Sequence, residues 1–239
     1  MSIRSHLTGT GIYTRPDAAR LLGMTPERLR RWVGGYTYWM RNERDGRARR
    51  TKPPVIRTDI PSIDGAVSLS FLELMELRVV KAFIDKGLSL QHVRKAGALA
   101  CRRFRTDHPF ASRRVFTDGR NIFSAISDDV DSPDVVKWRE SEIDQVTSGK
   151  LFERFLREIE FDERTSLAER WWPMGKGHPI VLDPQVSFGA PVIEGTAVRT
   201  ITIARYARRE SFGSAAVAFE IERRQAKAAL EFEELLAAA

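Results

Sequence analysis

Ile12-Tyr-Thr-Arg-Pro-Asp-Ala-Ala-Arg-Leu-Leu-Gly-Met-Thr-Pro-Glu-Arg-Leu-Arg-Arg-Trp32 is the stretch whose reading decides the fold. Thr14 is placed to cap a helix with Pro16 and Asp17 in its first turn, where a missing N–H and a negative charge both suit the helix start. Ala18, Ala19, Leu21 and Leu22 give that helix an apolar face, and Gly23 ends it. Thr25-Pro26-Glu27 opens a second helix. Leu29 and Trp32 turn inward at i, i+3 spacing, and Gly34-Gly35 stops the helix. Two short helices joined at a glycine, the second carrying Arg28, Arg30 and Arg31, predict a helix-turn-helix.

Immediately downstream, Tyr36-Thr-Tyr-Trp39 is an aromatic, strand-prone run. Arg41, Arg44, Arg47, Arg49, Arg50 and Lys52 then cluster around an Asp45-Gly46 turn. Pro53-Pro54 and Val55-Ile56 follow, so the segment predicts a basic hairpin, or wing. The charge distribution agrees. Residues 1–60 hold thirteen Lys/Arg against five Asp/Glu, a balance of +8, whereas the other 179 residues balance at −1 and the whole chain at +7. Positive charge gathered on a compact recognition element is the electrostatic footprint of a nucleic-acid binder. Arginine can grip phosphates and can also present a fork to guanine O6 and N7 in the major groove. Arg28 and Arg31 are expected to face double-stranded DNA, with Leu29 and Trp32 toward the core and Arg30 at the flank. The wing arginines and Lys52 are expected on phosphates or in the minor groove. Tyr36 and Tyr38 either hydrogen-bond phosphates, or one of them packs in the core with Trp39.

Further along, Ser70-Phe-Leu-Glu73 is a capping box opening a longer helix, with Leu72, Met75, Val79 and Phe83 near one face. Gly87 closes it, and Ser89 caps another helix containing Leu90, Val93 and Ala96. Val115-Phe116, Asp118-Gly119 and Ile122-Phe123 resemble a small hairpin around an Asp-Gly turn. Ser127 to Asp134 reads as an acidic loop, and Lys150 to Glu169 as an amphipathic helix with Leu151, Phe152, Phe155, Leu156 and Ile159 on one side. Beyond Trp171-Trp172-Pro173, the strands Ile180-Val181-Leu182 and Pro191-Val192-Ile193 precede three helices over 200–209, 214–221 and 222–236. Gly189 and Gly195 are expected to need backbone conformations denied to larger residues.

Other chemistries find little in the chain. The single Cys101 rules out an internal disulfide, and the four histidines are dispersed without metal-ligand spacing, so no metal and no cofactor are expected. Pro173-Met-Gly-Lys-Gly-His178 lacks the glycine spacing of a phosphate loop, and no Gly-x-Ser-x-Gly elbow occurs. No catalytic residue is therefore assigned. No apolar stretch approaches the ~20 residues of a membrane span, and the first residues lack a secretory core, which predicts a cytoplasmic protein.

Two stretches resemble known families. Ile12 through Trp32, together with Ser70-Phe-Leu-Glu-Leu through Lys86-Gly87-Leu-Ser-Leu90, is similar to the helix-turn-helix block of MerR-type regulators, without their long dimerising coiled coil and effector cysteines. His178 through Thr200 resembles a small domain family with a D-P … G-x-P-x-I-x-G-T-R-I signature, often encoded beside PIN-domain ribonucleases. Asp183-Pro184, Gly189, Pro191, Ile193, Gly195-Thr196 and Val198 match it, and Ala197 stands where that family has Arg. The combination resembles a VapB-type antitoxin of a type II toxin–antitoxin pair. That resemblance implies two tasks: neutralising a PIN-domain ribonuclease toxin, and repressing the shared promoter by binding operator DNA. Phe152, Phe155, Ile159, Trp171 and Trp172 are the candidate toxin-binding residues, since aromatic anchors favour interface centres. The alternative is that they form the chain's own core or a dimer contact.

The expected fold is mainly α with small β hairpins. A MerR-like winged helix-turn-helix DNA-binding domain spans 1–110, a hairpin and amphipathic-helix connector 111–177, and a small antitoxin-associated helical domain 178–239. A homodimer is expected, because paired recognition helices read two half-sites. Two other functions compete. One is a stand-alone MerR-like regulator sensing a small ligand in a pocket lined by residues 113–172. The other is an enzyme with a carboxylate site at Asp128, Asp129 and Asp131.

Overall fold

Capping determines where the first elements begin. In the computed structural model, which describes residues 10–42, 46–60, 67–127 and 149–238, a short strand β1 (Tyr13–Thr14) leads into α1 (Arg15–Leu22). The Thr14 side chain accepts from the Asp17 N–H, and Gly23 closes the helix in the left-handed region at φ 57°. Thr25 caps α2 (Pro26–Gly34) in the same way, through the Arg28 N–H. Each such cap is worth about 1 kcal/mol. Strands β2 (Tyr36–Asn42) and β3 (Gly46–Lys52) form an antiparallel hairpin, and β4 (Ser68–Leu69) returns to pair with β1. Helix α3 (Phe71–Asp85) starts at the expected capping box, with Ser70 and Glu73 exchanging hydrogen bonds. Ser89 caps α4 (Leu90–Phe104).

The next segment departs from its sequence reading. Residues Arg113–Ser127 form one helix, α5, where the Asp118-Gly119 pair predicted a hairpin. Val115, Gly119 and Ile122 share a helical face at i, i+4, i+7, and all three are buried. Gly119 serves here as a point of close approach: a Cβ on it would meet the Phe152 ring at 3.2 Å. The acidic loop expected over Ser127 to Asp134 lies, from residue 128 onward, outside the described residues.

The amphipathic helix expected over Lys150 to Glu169 is also shorter. Helix α6 (Gly149–Glu158) gives way to β5 (Ile159–Phe161), which pairs with β6 (Ala168–Trp171). Asp162 turns the chain between these two strands: its carboxylate accepts from the backbone of Arg164 and Thr165 and from the Thr165 hydroxyl. That local turn favours the hairpin over a helix continued to Glu169.

One hydrophobic core runs from Tyr13 to Leu182 and joins α1–α6 with the β5–β6 hairpin. Buried Leu29, Leu74, Phe83 and Phe110 are among its members. A second core gathers Ile180, Ile193, Ile203 and Phe232 under the C-terminal helices α7 (Thr200–Arg209), α8 (Phe212–Ala218) and α9 (Arg223–Ala238). Strands β7 (Ile180–Val181) and β8 (Val192–Ile193) pair antiparallel at its edge. The architecture is mainly α with small two-stranded sheets, as expected.

The two cores meet along α1. Tyr13 is buried and donates its phenol to the Gly189 carbonyl at 2.7 Å, while the Ile12 N–H donates to Phe188 at 3.0 Å. Burial, followed by the charge of Asp183, pushes the Tyr13 phenol pKa up, so it remains a donor. Glu233 on α9 accepts from Thr200 at 2.5 Å and lies 3.6 Å from Arg20 on α1. Gly189 and Gly195 both sit at φ 80°, the left-handed backbone expected of them.

Candidate nucleic-acid interface

Helix α2 buries Leu29, Trp32 and Val33 and turns its arginines outward. Their charges are arranged by two carboxylates. Glu27 accepts from Arg30 twice, at 2.8 Å each, and from Arg31 Nε at 3.0 Å. The Arg30 hydrogen bonds, opposed by desolvation and reinforced by Arg31, pull the Glu27 carboxyl down to about 2. Arg28 is half-buried, with its guanidinium 4.7 Å from the Trp32 ring centroid and 3.5 Å from Asp85 on α3.

Gly35 carries the chain from α2 into the wing. Its φ of 68° and ψ of −176° belong to glycine, and a Cβ there would stand 2.5 Å from the Lys52 carbonyl oxygen. The hairpin is held against the helix by Val55 N–H donating to Trp32 (2.7 Å) and by Arg94 of α4 donating to the Pro53 carbonyl (2.6 Å).

The wing register sorts its side chains. Tyr36 pairs with Lys52 and Tyr38 with Arg50, which puts these four on one face. Thr37 pairs with Thr51 and Trp39 with Arg49 on the other, the face Arg41 shares. The first face continues the arginine face of α2: the Arg31 guanidinium lies 5.5 Å from the Tyr36 ring centroid, and the Tyr36 and Tyr38 rings are 5.9 Å apart. Tyr36, Tyr38 and Lys52 are half-buried, whereas Arg30, Arg31, Arg41, Arg49 and Arg50 are exposed. Trp39 is 65% exposed, so the reading that packed it in the core is corrected: its face of the hairpin has no covering layer among the described residues. Arg44 and the side chain of Arg47 lie outside the described residues. Sequence reading missed Glu27 and Asp85 as organisers of the arginines. The i, i+3, i+4 spacing signalled Glu27, whereas Asp85 is a tertiary neighbour.

Phe152, Phe155, Ile159, Trp171 and Trp172, the candidate toxin contacts, are all buried inside the chain. Phe155 stacks on Phe116 at 5.4 Å, and Arg78 is sandwiched between Phe155 and Trp171 at 4.4 and 4.9 Å from their centroids. Arg78 also forms an ion pair with Glu158. Their surroundings correspond to the alternative reading, that of the chain's own core. Asp128, Asp129 and Asp131 lie outside the described residues. Among the described residues no group of three or more His, Cys, Asp and Glu side chains is placed to hold a metal, and no helix is long and apolar enough to cross a membrane.

Comparison with known proteins bears on this arrangement. Residues 11–97 match a family described as "Putative DNA-binding HTH domain". A protein of Mycobacterium tuberculosis (strain ATCC 25618 / H37Rv) named "Putative antitoxin VapB45" is 25% identical over 198 residues, covering 80% of each chain. The crystal structure of Rv2018 from Mycobacterium tuberculosis superposes with a TM-score of 0.67 at 23% identity, covering 91% of this chain and 96% of that one. That likeness extends the common fold over nearly the whole chain. Residues 11–97, which include α1, α2 and the wing, are thus similar to that helix-turn-helix family.

Proposed function

We propose that the chain is a DNA-binding antitoxin that silences a PIN-domain ribonuclease and represses the promoter of the pair as a cytoplasmic homodimer. The observation that carries the DNA half is the continuous face of Arg31, Tyr36, Tyr38, Arg50 and Lys52 across α2 and the wing. Such a face supplies cations for phosphates and hydroxyls for hydrogen bonds, next to a helix suited to the major groove. Arg28 and Arg30 extend it along α2, while Arg41, Arg44, Arg47 and Arg49 are taken in this reading as further phosphate contacts outside that face. The MerR-like and antitoxin-associated domains are taken as residues 1–110 and 178–239, joined by 111–177.

The antitoxin half is supported by the similarity to the protein named as a VapB45 antitoxin. With the central aromatics buried, the toxin contact is assigned to the exposed surface of the C-terminal segment, anchored by Phe188. This ring is 62% exposed. Its backbone is held at φ 58°, beside Ser187 at φ 47°, a conformation that costs about 1–2 kcal/mol per non-glycine residue. Ser187 Oγ, donating to Ala197 at 2.8 Å, and the Ile12 and Tyr13 bonds keep the loop in that shape. Strain held in place to display an aromatic side chain suits a binding anchor.

Purification of the tagged chain from its native cells tests the proposal. A small ribonuclease should accompany it in near-equal amount, and Phe188→Ala should reduce that amount at least about tenfold. A functional tagged chain that brings no ribonuclease contradicts the antitoxin reading.

A further inference from the structure

We propose that the cleft where α1, α3, α6 and α9 converge binds a small organic carboxylate with an apolar body. The cleft has a volume of about 270 Å3 and is lined by Leu22, Arg78, Lys81, Phe155, Trp171 and Phe232, among others. It falls just below the usual ~300–1,000 Å3 of small-molecule sites, a size for a single-ring ligand. Two of its wall residues carry donors without an acceptor. Trp171 is 3% exposed, and neither its Nε1–H nor the Nη1 of Arg78 meets an acceptor among the described residues. The Arg78 guanidinium stacks on the Trp171 ring, so both donors belong to one assembly.

Glu158 does not answer them. It engages Nη2 of Arg78 and, at 2.7 Å, Nε of Arg154. Buried donors without acceptors are costly, and most such groups in native proteins are partnered. A carboxylate entering the cleft brings negative charge to Arg78 and Lys81, and a small shift of the Trp171 and Arg78 side chains, whose orphaned nitrogens are otherwise shielded, lets its oxygens accept from both donors. Its apolar body meets Leu22, Phe155 and Phe232. Asp85 also lines the cleft but is paired with Lys81, and with Arg78 and Arg154 the lining keeps a positive balance that disfavours a cation, while a purely apolar molecule leaves the donors unanswered.

Occupancy has a route to the proposed DNA face, and this part rests on the DNA-binding reading. Lys81 pairs with Asp85 at 2.6 Å, and the same Asp85 lies 3.5 Å from Arg28 of α2. A ligand carboxylate that draws Lys81 leaves Asp85 to hold Arg28, so DNA affinity falls.

The test uses the full chain, with benzoate as probe at constant ionic strength and benzyl alcohol as the neutral analogue of similar shape. Five tryptophans give five indole N–H signals by heteronuclear NMR, and the one lost in Trp171→Phe is that of Trp171. Benzoate should move this signal saturably, and more than benzyl alcohol does. Trp171→Phe removes the donor while keeping a ring for Arg78, and should weaken benzoate binding at least about tenfold by calorimetry. A Trp171 signal unmoved by benzoate, or equal affinity in Trp171→Phe, overturns the site. Benzoate should also weaken binding to a DNA duplex roughly two- to fivefold in the parent and not in Asp85→Asn. A moved Trp171 signal with unchanged duplex affinity overturns the coupling. A parent that binds no duplex counts against the DNA reading, and the Trp171 signal still decides the site.

Discussion

At the scale of single residues, the proposed interface depends most on Gly35. Its backbone lies in a region that side chains avoid, and the Lys52 carbonyl occupies the space a Cβ would need. Gly35→Ala therefore forces the wing away from α2. It should cost about 3 kcal/mol in denaturant unfolding and loosen the Arg31–Tyr36 contact. Sequence alone marked Gly34-Gly35 as a helix stop, because glycine punctuation is local. The helix caps were legible for the same reason: Thr14, Thr25, Ser70 and Ser89 all accept the N–H bonds their positions predict. Trp39 was not. Whether a hairpin aromatic is covered depends on what packs over its face, and no local pattern records that.

At the scale of elements, α2 and the wing act as one surface whose charge is moderated by Glu27. This carboxylate favours the N-terminal turn of α2 and ties back Arg30 and Arg31, yet it also opposes an approaching phosphate. Glu27→Gln is expected to tighten binding to a DNA duplex roughly threefold at low salt, with a slightly lower melting temperature. Weaker binding would mean that Glu27 serves by orienting the two arginines. The elements misread from sequence were those whose shape comes from tertiary contact. The Asp118-Gly119 pair is helical because α6 places Phe152 against Gly119. The strand at Ile159 follows from the Asp162 turn and its pairing with β6, neither of which interrupts the apolar pattern read from 150 onward.

At the scale of the whole molecule, the C-terminal helices are fastened to the helix-turn-helix by Tyr13, Ile12 and the Arg20–Glu233 contact. The arginines Arg30, Arg31 and Arg50 stay exposed, as does Phe188 in the C-terminal segment, so the two proposed contacts are both open to solvent. The proposed recognition surface was legible in the sequence as a concentration of charge. The sequence could not show the cleft, whose lining is drawn from residues 21 to 236. Binding of a short mixed-sequence duplex, followed by fluorescence anisotropy across a salt series for the parent and Arg31→Ala/Arg50→Ala, tests the central claim most directly. With the fold verified by circular dichroism, loss of two phosphate contacts should weaken binding and reduce the slope of log affinity against log salt by about 2. Equal affinity and an equal slope in the double variant would contradict the assignment of this face to DNA.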